Sequence, residues 1–122
     1  YICEKVLTGQ WLNGGKLPSV KELSMTTSVN PNTVIKALAW LQDNGILLTH
    51  RGIGYFLTDD AMARTLELKR RQFIDDVLPE VFNSMNLLGL NLDELATLFR
   101  NAQKKAQRAN NGNRTADRSG QA

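Results

Sequence analysis

A helix start signal at Ser19, followed by a second one eleven residues later, constrains this 122-residue chain most strongly. Ser19 stands three residues before Glu22. In such a capping box the hydroxyl accepts from the backbone N–H of the glutamate, and the carboxylate reaches back to the N–H of the serine. Pro18 disfavours helical geometry in the residue before it, which fixes the start. The sequence therefore predicts a short first helix that ends near Thr26 or Thr27.

The second start signal is Asn30 followed by Pro31. Asparagine is a good N-cap, and proline at the first helical position lacks only an N–H that would have no helical partner there. Asn44 and Gly45 close this helix, because glycine adopts the left-handed conformation beyond a helix end without strain. Two helices joined by a tight turn are the arrangement in which the second helix reads the major groove of DNA.

The second helix has one apolar and one polar face. Its apolar residues recur at the spacing of a buried helical stripe; they are Val34, Ala37, Leu38 and Leu41. Asn32, Thr33 and Lys36 lie off that stripe, near the helix start. In a major groove, Asn pairs with adenine, Thr offers a hydroxyl or a methyl group, and Lys reaches guanine or phosphate. The polar face therefore predicts base contacts; the alternative is an ordinary solvated face.

A β-hairpin is predicted directly after this helix. Ile46 to Thr49 and Tyr55 to Thr58 favour β-structure, and Gly52 and Gly54 lie in the turn between them. Two helices and a glycine-tipped hairpin follow the order of a winged helix, whose wing lies over the DNA backbone or the minor groove. His50 and Arg51 are then placed to meet phosphates or a narrow minor groove. The alternative is a surface hairpin whose glycines only supply positive φ.

These motifs resemble the GntR family of bacterial transcriptional regulators over roughly residues 1–58. The matching segments are Leu17-Pro18-Ser19, Val29-Asn30-Pro31-Asn32-Thr33-Val34, Leu41-Gln42-Asp43-Asn44-Gly45-Ile46 and Gly52-Ile53-Gly54. Lys21 stands where the family usually has an arginine; lysine keeps a charge for phosphate but lacks the planar fork that binds guanine. The resemblance implies a sequence-specific DNA-binding regulator, and we expect a homodimeric repressor of an inverted-repeat operator.

Motifs and resemblance together predict a set of DNA-binding residues at the starts of the two helices and in the wing. They are Ser19, Lys21, Asn30, Asn32, Thr33, Lys36, His50, Arg51, Gly52 and Gly54.

The charge of the first sixty residues fits DNA binding less well. Residues 1–60 hold five Lys and Arg against five Asp and Glu, although the whole chain carries a net charge of +3. Phosphate neutralisation normally supplies much of the affinity for DNA. A winged helix that binds another protein instead of DNA is therefore the alternative function, and the two differ in how steeply binding weakens with salt.

Catalytic and metal-binding chemistry is not indicated by the sequence. One histidine and one cysteine cannot form a structural zinc site within one chain. No nucleophile with a base, carboxylate cluster or phosphate-binding glycine loop is recognisable. We therefore predict that the protein is not an enzyme and uses no cofactor. The lone Cys3 and the lack of a long apolar run predict a cytoplasmic protein without a membrane partner.

The rest of the chain is predicted to be helical from about Ala61 to Leu88, and again after Asn91, which forms an N-cap with Glu94. Pro79 predicts a kink just before it. The apolar faces exceed what two helices cover, so we expect an α-helical hairpin that dimerises; the alternative is packing on the winged helix of the same chain. The expected dimer residues are Leu66, Phe73, Val77, Val81, Leu95 and Phe99.

The short extension resembles that of the YtrA subfamily, whose members are small dimeric regulators. The predicted fold is mainly α-helical with a small β-hairpin. We expect a winged helix-turn-helix domain over 1–58, a two-helix dimerisation region over 59–106 and a disordered tail over 107–122, where large apolar side chains are absent. No small-molecule effector is predicted. The first helix, which opens without a methionine, is expected to be truncated.

Overall fold

The computed structural model describes residues 1–119, with side chains through residue 112. This part of the chain is mostly helical and contains one two-stranded antiparallel sheet. The elements in order are α1 (Ile2–Leu7), α2 (Val20–Thr27), α3 (Pro31–Asp43), β1 (Leu47–His50), β2 (Gly54–Leu57), α4 (Ala61–Gln72), a π-helical segment (Phe73–Val77), α5 (Leu78–Leu88) and α6 (Leu92–Ser119). The predicted fold class, a winged helix followed by a helical extension, is confirmed.

Both predicted helix starts are formed, but the hydrogen bonds of the described residues include only the serine half of the capping box and no return bond from the Ser19 N–H to the Glu22 carboxylate. The hydroxyl of Ser19 accepts from the backbone N–H of Glu22 at 3.1 Å. The side-chain oxygen of Asn30 accepts from the N–H of Asn32 at 2.9 Å, with proline at the start of α3. Gly45 takes the positive φ of +75° that the end of α3 requires. In the turn between α2 and α3, the Ser24 hydroxyl donates to the carbonyl of Val29 at 2.6 Å, so this side chain and the Asn30 cap together fix the turn.

The hairpin lies one residue away from its predicted bounds on each strand. Its register pairs Leu47 with Leu57 and His50 with Gly54. A third segment, missing from the sequence-based prediction, lies on the other edge of β2. There, the N–H of Leu17 donates to Tyr55 at 2.9 Å and the N–H of Leu57 donates to Gly15 at 2.8 Å. A pairing this short carries no alternating pattern, so no sequence pattern signals it.

The hydrophobic core joins α3 to the hairpin. Leu38 and Ile46 are fully buried, and Leu47 and Leu57 are almost so. Val34 and Leu41 complete the predicted buried stripe of α3, whereas Ala37, predicted to share it, is exposed. Ala37 instead borders an open groove of about 280 Å³ between α1, α2 and α3. The buried stripe of α3 therefore contains one residue fewer than the sequence spacing predicts.

The chain divides into two compact units, Tyr1–Asp75 and the part from Asp76 onward. This boundary differs from the one expected at residue 58. The physical reason is that α4 belongs to the first unit: it packs on α1, and Ala61 and Thr65 are fully buried. The first compact unit therefore holds the first long helix of the predicted extension together with the winged-helix residues, and the end of the winged helix at residue 58 stays a prediction.

The long helical run changes geometry where a kink was predicted. Phe73–Val77 is π-helical, and α5 then begins at Leu78 with Pro79 in its first turn. Proline has no N–H to donate, and its ring collides with the carbonyl four residues earlier. A wider π-turn before the proline accommodates both effects.

In the second unit, the turn between α5 and α6 follows the prediction. Gly89 ends α5 in the left-handed conformation with φ +68°, and Asn91 caps α6 by accepting from the N–H of Glu94 at 2.8 Å. The two predicted extension helices are present, but in the described chain α5 and α6 meet only near the turn that joins them and do not pack extensively along their length. Their apolar side chains consequently stay largely exposed; Leu88 is 81% and Phe99 61% accessible.

The expected disorder from residue 107 is not what the structure shows. Helix α6 continues to Ser119, and residues 120–122 lie outside the described part. The segment Ala102 to Arg108 consists of strong helix formers, and extending an existing helix costs far less than starting one.

Among the described residues, no helix has the length and apolar character needed to cross a membrane.

Candidate nucleic-acid interface

The start of α3 presents three polar side chains to solvent. Asn32, Thr33 and Lys36 are all exposed, whereas Val34 and Leu38 of the same helix are buried. The Asn30 cap fixes the start of α3, and the buried stripe packs into the core. The polar face on the other side of the helix is therefore directed at solvent. Lys36 belongs to neither of the two ion pairs found among the described residues. Its ammonium group therefore keeps its charge available for an external anion.

The two capping residues retain hydrogen-bonding capacity for a ligand. The Ser19 oxygen accepts from Glu22, which leaves its hydroxyl proton as a donor. Asn30 uses its carbonyl oxygen as the cap, so its amide group keeps two donors. Lys21 is exposed in the first turn of α2. Donors and a positive charge beside a helix N-terminus form an environment that favours phosphate.

The wing presents its own set of polar groups. Arg51 is exposed at the end of β1, and the turn closes through the N–H of Ile53, which donates to His50 at 2.9 Å. The rings of His50 and Phe56 meet edge to face, with 4.8 Å between their centroids. Gly52, at φ +79°, is one of the positions that require glycine. The wing is therefore a tight turn whose shape is set by backbone geometry.

Lys16 is a residue that the sequence-based prediction of the site left out. It pairs with Phe56 across the edge of β2. Its side chain also passes beside Gly54, because a Cβ added to that glycine would lie 3.4 Å from the Lys16 Cε. Only the unpredicted edge pairing brings Lys16 to the wing, so its position there could not be predicted from the local sequence. With Arg51, it gives the wing two exposed cations.

One acidic group of the first unit is neutralised by an ion pair within the chain. Arg64 Nε lies 2.7 Å from Asp60 at the start of α4. This hydrogen bond is the main reason why the pKa of Asp60 lies below its ordinary value. The guanidinium of Arg64 also covers Gly45, the residue that ends α3. One negative charge near the end of α3 is thereby compensated.

No group of three or more His, Cys, Asp or Glu side chains suited to a metal ion occurs within the residues that the structure describes. The surface around α3 and the wing instead offers amides, hydroxyls and cations. These groups match the donors that bind base edges and phosphates.

Comparisons with known proteins agree with this geometry. Residues 1–57 match the family described as "Bacterial regulatory proteins, gntR family". The chain is 36% identical over 92 residues to the HTH-type transcriptional repressor YtrA of Bacillus subtilis (strain 168), covering 75% of this chain and 70% of YtrA.

Solved structures extend the likeness beyond the winged helix. A GntR family transcriptional regulator from Listeria monocytogenes matches with a TM-score of 0.68 and 32% identity, over 83% of this chain and 87% of the other. A putative GntR-family regulator from Bacteroides thetaiotaomicron matches with a TM-score of 0.71 and 28% identity, over 86% and 91%. The chain therefore belongs to the gntR family of bacterial regulatory proteins and is a DNA-binding transcriptional regulator of the helix-turn-helix type.

Proposed function

We propose that this chain is a homodimeric repressor that places two copies of α3 in successive major grooves of an inverted-repeat operator. The observation that carries the proposal is the fixed, exposed polar face at the start of α3, formed by Asn32, Thr33 and Lys36. A dimer of such helices reads half-sites whose centres lie about 34 Å, or a multiple of that, apart.

The proposed role of each side chain follows from its chemistry. Asn32 and Thr33 contact base edges, and Lys36 binds guanine or phosphate. Ser19, Lys21 and Asn30 bind the sugar-phosphate backbone and fix the register of the protein on the duplex. These contacts belong to the two helix starts.

The proposed role of the wing is to contact the minor groove beside each half-site. Arg51 enters the groove or binds its phosphates, and His50 contacts the adjacent backbone. Gly52 and Gly54 contribute by permitting the tight turn that carries these side chains. Lys16, which the turn approaches, adds a further phosphate contact.

Alanine substitutions test the proposed contacts. Lys36→Ala and Arg51→Ala should each weaken binding to a duplex enriched from a randomised pool by roughly ten- to a hundredfold, because each removes a charged contact. Lys69→Ala, on the exposed surface of α4, is the charge-matched control and should leave affinity nearly unchanged. Fluorescence anisotropy titration measures all three; wild-type affinity in both test variants would overturn the assignment.

The proposed dimer forms through the apolar faces of the helical extension. Leu66 and Phe73 are about half exposed within the first unit, and Val77 is 44% accessible. In the second unit, Val81 and Leu95 are half-buried and border one shallow depression between α5 and the start of α6, whereas Phe99 is 61% accessible. A second copy of the chain supplies surface of the same character.

Repression, rather than activation, is proposed because the similar protein YtrA is described as a repressor. Occupation of an operator by the dimer excludes other proteins from the same DNA. The proposed role is regulatory and not enzymatic, and its place is the cytoplasm, where bacterial DNA is found. A reporter gene placed behind the selected operator should fall in expression when the protein is produced; a rise would identify an activator.

A further inference from the structure

We propose that a basic face of α6, formed by Arg100, Lys104, Lys105 and Arg108, binds the phosphate backbone of duplex DNA independently of sequence. We call these four residues the α6 basic face. The inference rests on the proposed function and deepens it, because it assigns to the helical extension a DNA contact separate from those of the winged helix.

The position of the positive charge along the chain is the first observation. Residues 1–94 carry nine Lys and Arg against eleven Asp and Glu, whereas residues 95–122 carry six against one. The net charge of +3 therefore arises entirely from residues 95–122. Residues 1–60 are neutral, and residues 1–75 carry nine Lys and Arg against seven Asp and Glu, so phosphate-neutralising charge farther along the chain adds to the affinity for DNA.

The second observation is the arrangement of the charges on the helix. Arg100, Lys104 and Arg108 follow one another at intervals of four residues, and all are exposed. Each interval rises about 6 Å along the helix axis. Two nucleotide steps along one strand rise a similar distance, roughly 6.8 Å along the duplex axis. Lys104, Lys105 and Arg108 also border one shallow surface depression with Leu98.

The opposite face of α6 is apolar. Leu95 and Phe99 lie there at helical spacing, whereas Leu98 and Ala102 border the depression beside Lys105. Arg100, Lys104 and Arg108 therefore stay free when Leu95 and Phe99 are covered, and Lys105 lies at the border between the two sides.

The third observation is that no carboxylate relieves the repulsion within the α6 basic face. Asp93 and Glu94 in the first turn are the last acidic residues before Asp117. Solvent-exposed helices usually alternate charges so that pairs four residues apart attract. Here the pairs Arg100–Lys104 and Lys104–Arg108 repel, which destabilises the isolated helix. A polyanion removes this cost, and duplex DNA is the polyanion that the proposed function brings to the protein.

The test uses the double variant K104Q/R108Q and a fluorescent duplex of random sequence, about four helical turns long. The control K69Q/R70Q removes the same two charges from the exposed surface of α4. A second variant, K104R/R108K, keeps the charge. Anisotropy titrations from about 50 to 200 mM salt give affinity and its salt dependence. Circular dichroism compares the helix content of all variants.

K104Q/R108Q should bind the random duplex at least about tenfold more weakly, with a salt slope less steep by roughly two to four, since a dimer loses up to four phosphate contacts. K104R/R108K should retain wild-type binding, and K69Q/R70Q should change it much less. Unchanged affinity in K104Q/R108Q, or a loss equal to that of the control, would overturn the proposal. Binding of wild type to polyglutamate as tight as to the duplex would also overturn it and indicate an acidic protein partner.

Failure of this proposal and failure of the proposed function give different results. A random duplex contains no operator, so the loss of its binding from wild type to K104Q/R108Q reports the α6 basic face even if the winged helix selects no sequence. Conversely, Lys36→Ala should reduce selectivity for an operator without removing the binding that the α6 basic face provides.

Discussion

At the scale of single residues, two threonines show that a buried hydroxyl group is not always a hydrogen-bonded one. Thr58 Oγ1 donates to the carbonyl of Gly45 at 2.8 Å, which ties the end of β2 to the turn after α3. Thr65 is fully buried in the core of the first unit, and its hydroxyl has no hydrogen-bond partner there. A buried hydroxyl without a partner costs free energy, whereas a satisfied one contributes to stability.

Replacing each threonine by valine should therefore change stability in opposite directions. Thr65→Val removes an unsatisfied hydroxyl and should raise the free energy of unfolding by about 1 kcal/mol. Thr58→Val deprives the Gly45 carbonyl of its donor and should lower the free energy of unfolding by roughly 1–2 kcal/mol. Urea denaturation followed by circular dichroism measures both. A loss of stability in Thr65→Val would show that its hydroxyl is bonded in solution.

At the scale of elements, the sequence predicted the helix starts and ends, because these depend only on neighbouring residues. The capping side chains Ser19, Asn30 and Asn91 each fix a helix start through a hydrogen bond that spans two or three residues. Gly45 and Gly89 end helices because of their own backbone conformation. Such features need no knowledge of the rest of the fold, and the sequence was sufficient to predict them.

Features that depend on distant packing were not predictable in this way. The pairing of Gly15 and Leu17 with β2 joins segments about forty residues apart, and Lys16 reaches the wing only through it. Thr65 is polar, so the apolar pattern of α4 did not indicate that this helix contributes to the winged-helix core. The apolar patterns of α5 and α6 likewise did not indicate how little these helices pack along each other.

The sequence predicted most residues of the candidate site, but it did not predict that Lys16 lies beside the wing. Asn32, Thr33, Lys36 and Arg51 are exposed, as the sequence predicted for residues that contact a ligand. Their direct contact with DNA stays a prediction.

At the scale of the whole molecule, the proposed dimer makes the helical extension part of the DNA-binding device. Phe73→Asp and Leu95→Asp each place a charge in the proposed seam, and each should convert the dimer to a monomer because a buried unpaired charge is costly. Asn101→Asp, which adds the same charge on the exposed surface of α6, is the control and should stay dimeric. Sedimentation velocity distinguishes these states; two dimeric test variants would exclude the proposed seam.

Loss of the dimer should also lower affinity for the operator, because two linked recognition helices bind far more tightly than one. Operator binding and dimerisation are therefore expected to fail together in Phe73→Asp, while the helix content of the monomer is retained.

Selection of binding sites from a randomised duplex pool by the wild-type protein tests the central claim most directly. Enrichment of an inverted repeat, with half-site centres about one helical turn or a multiple apart, is the predicted result. A pool that shows no enriched sequence after repeated rounds, while the protein remains folded and dimeric, would contradict sequence-specific recognition by α3.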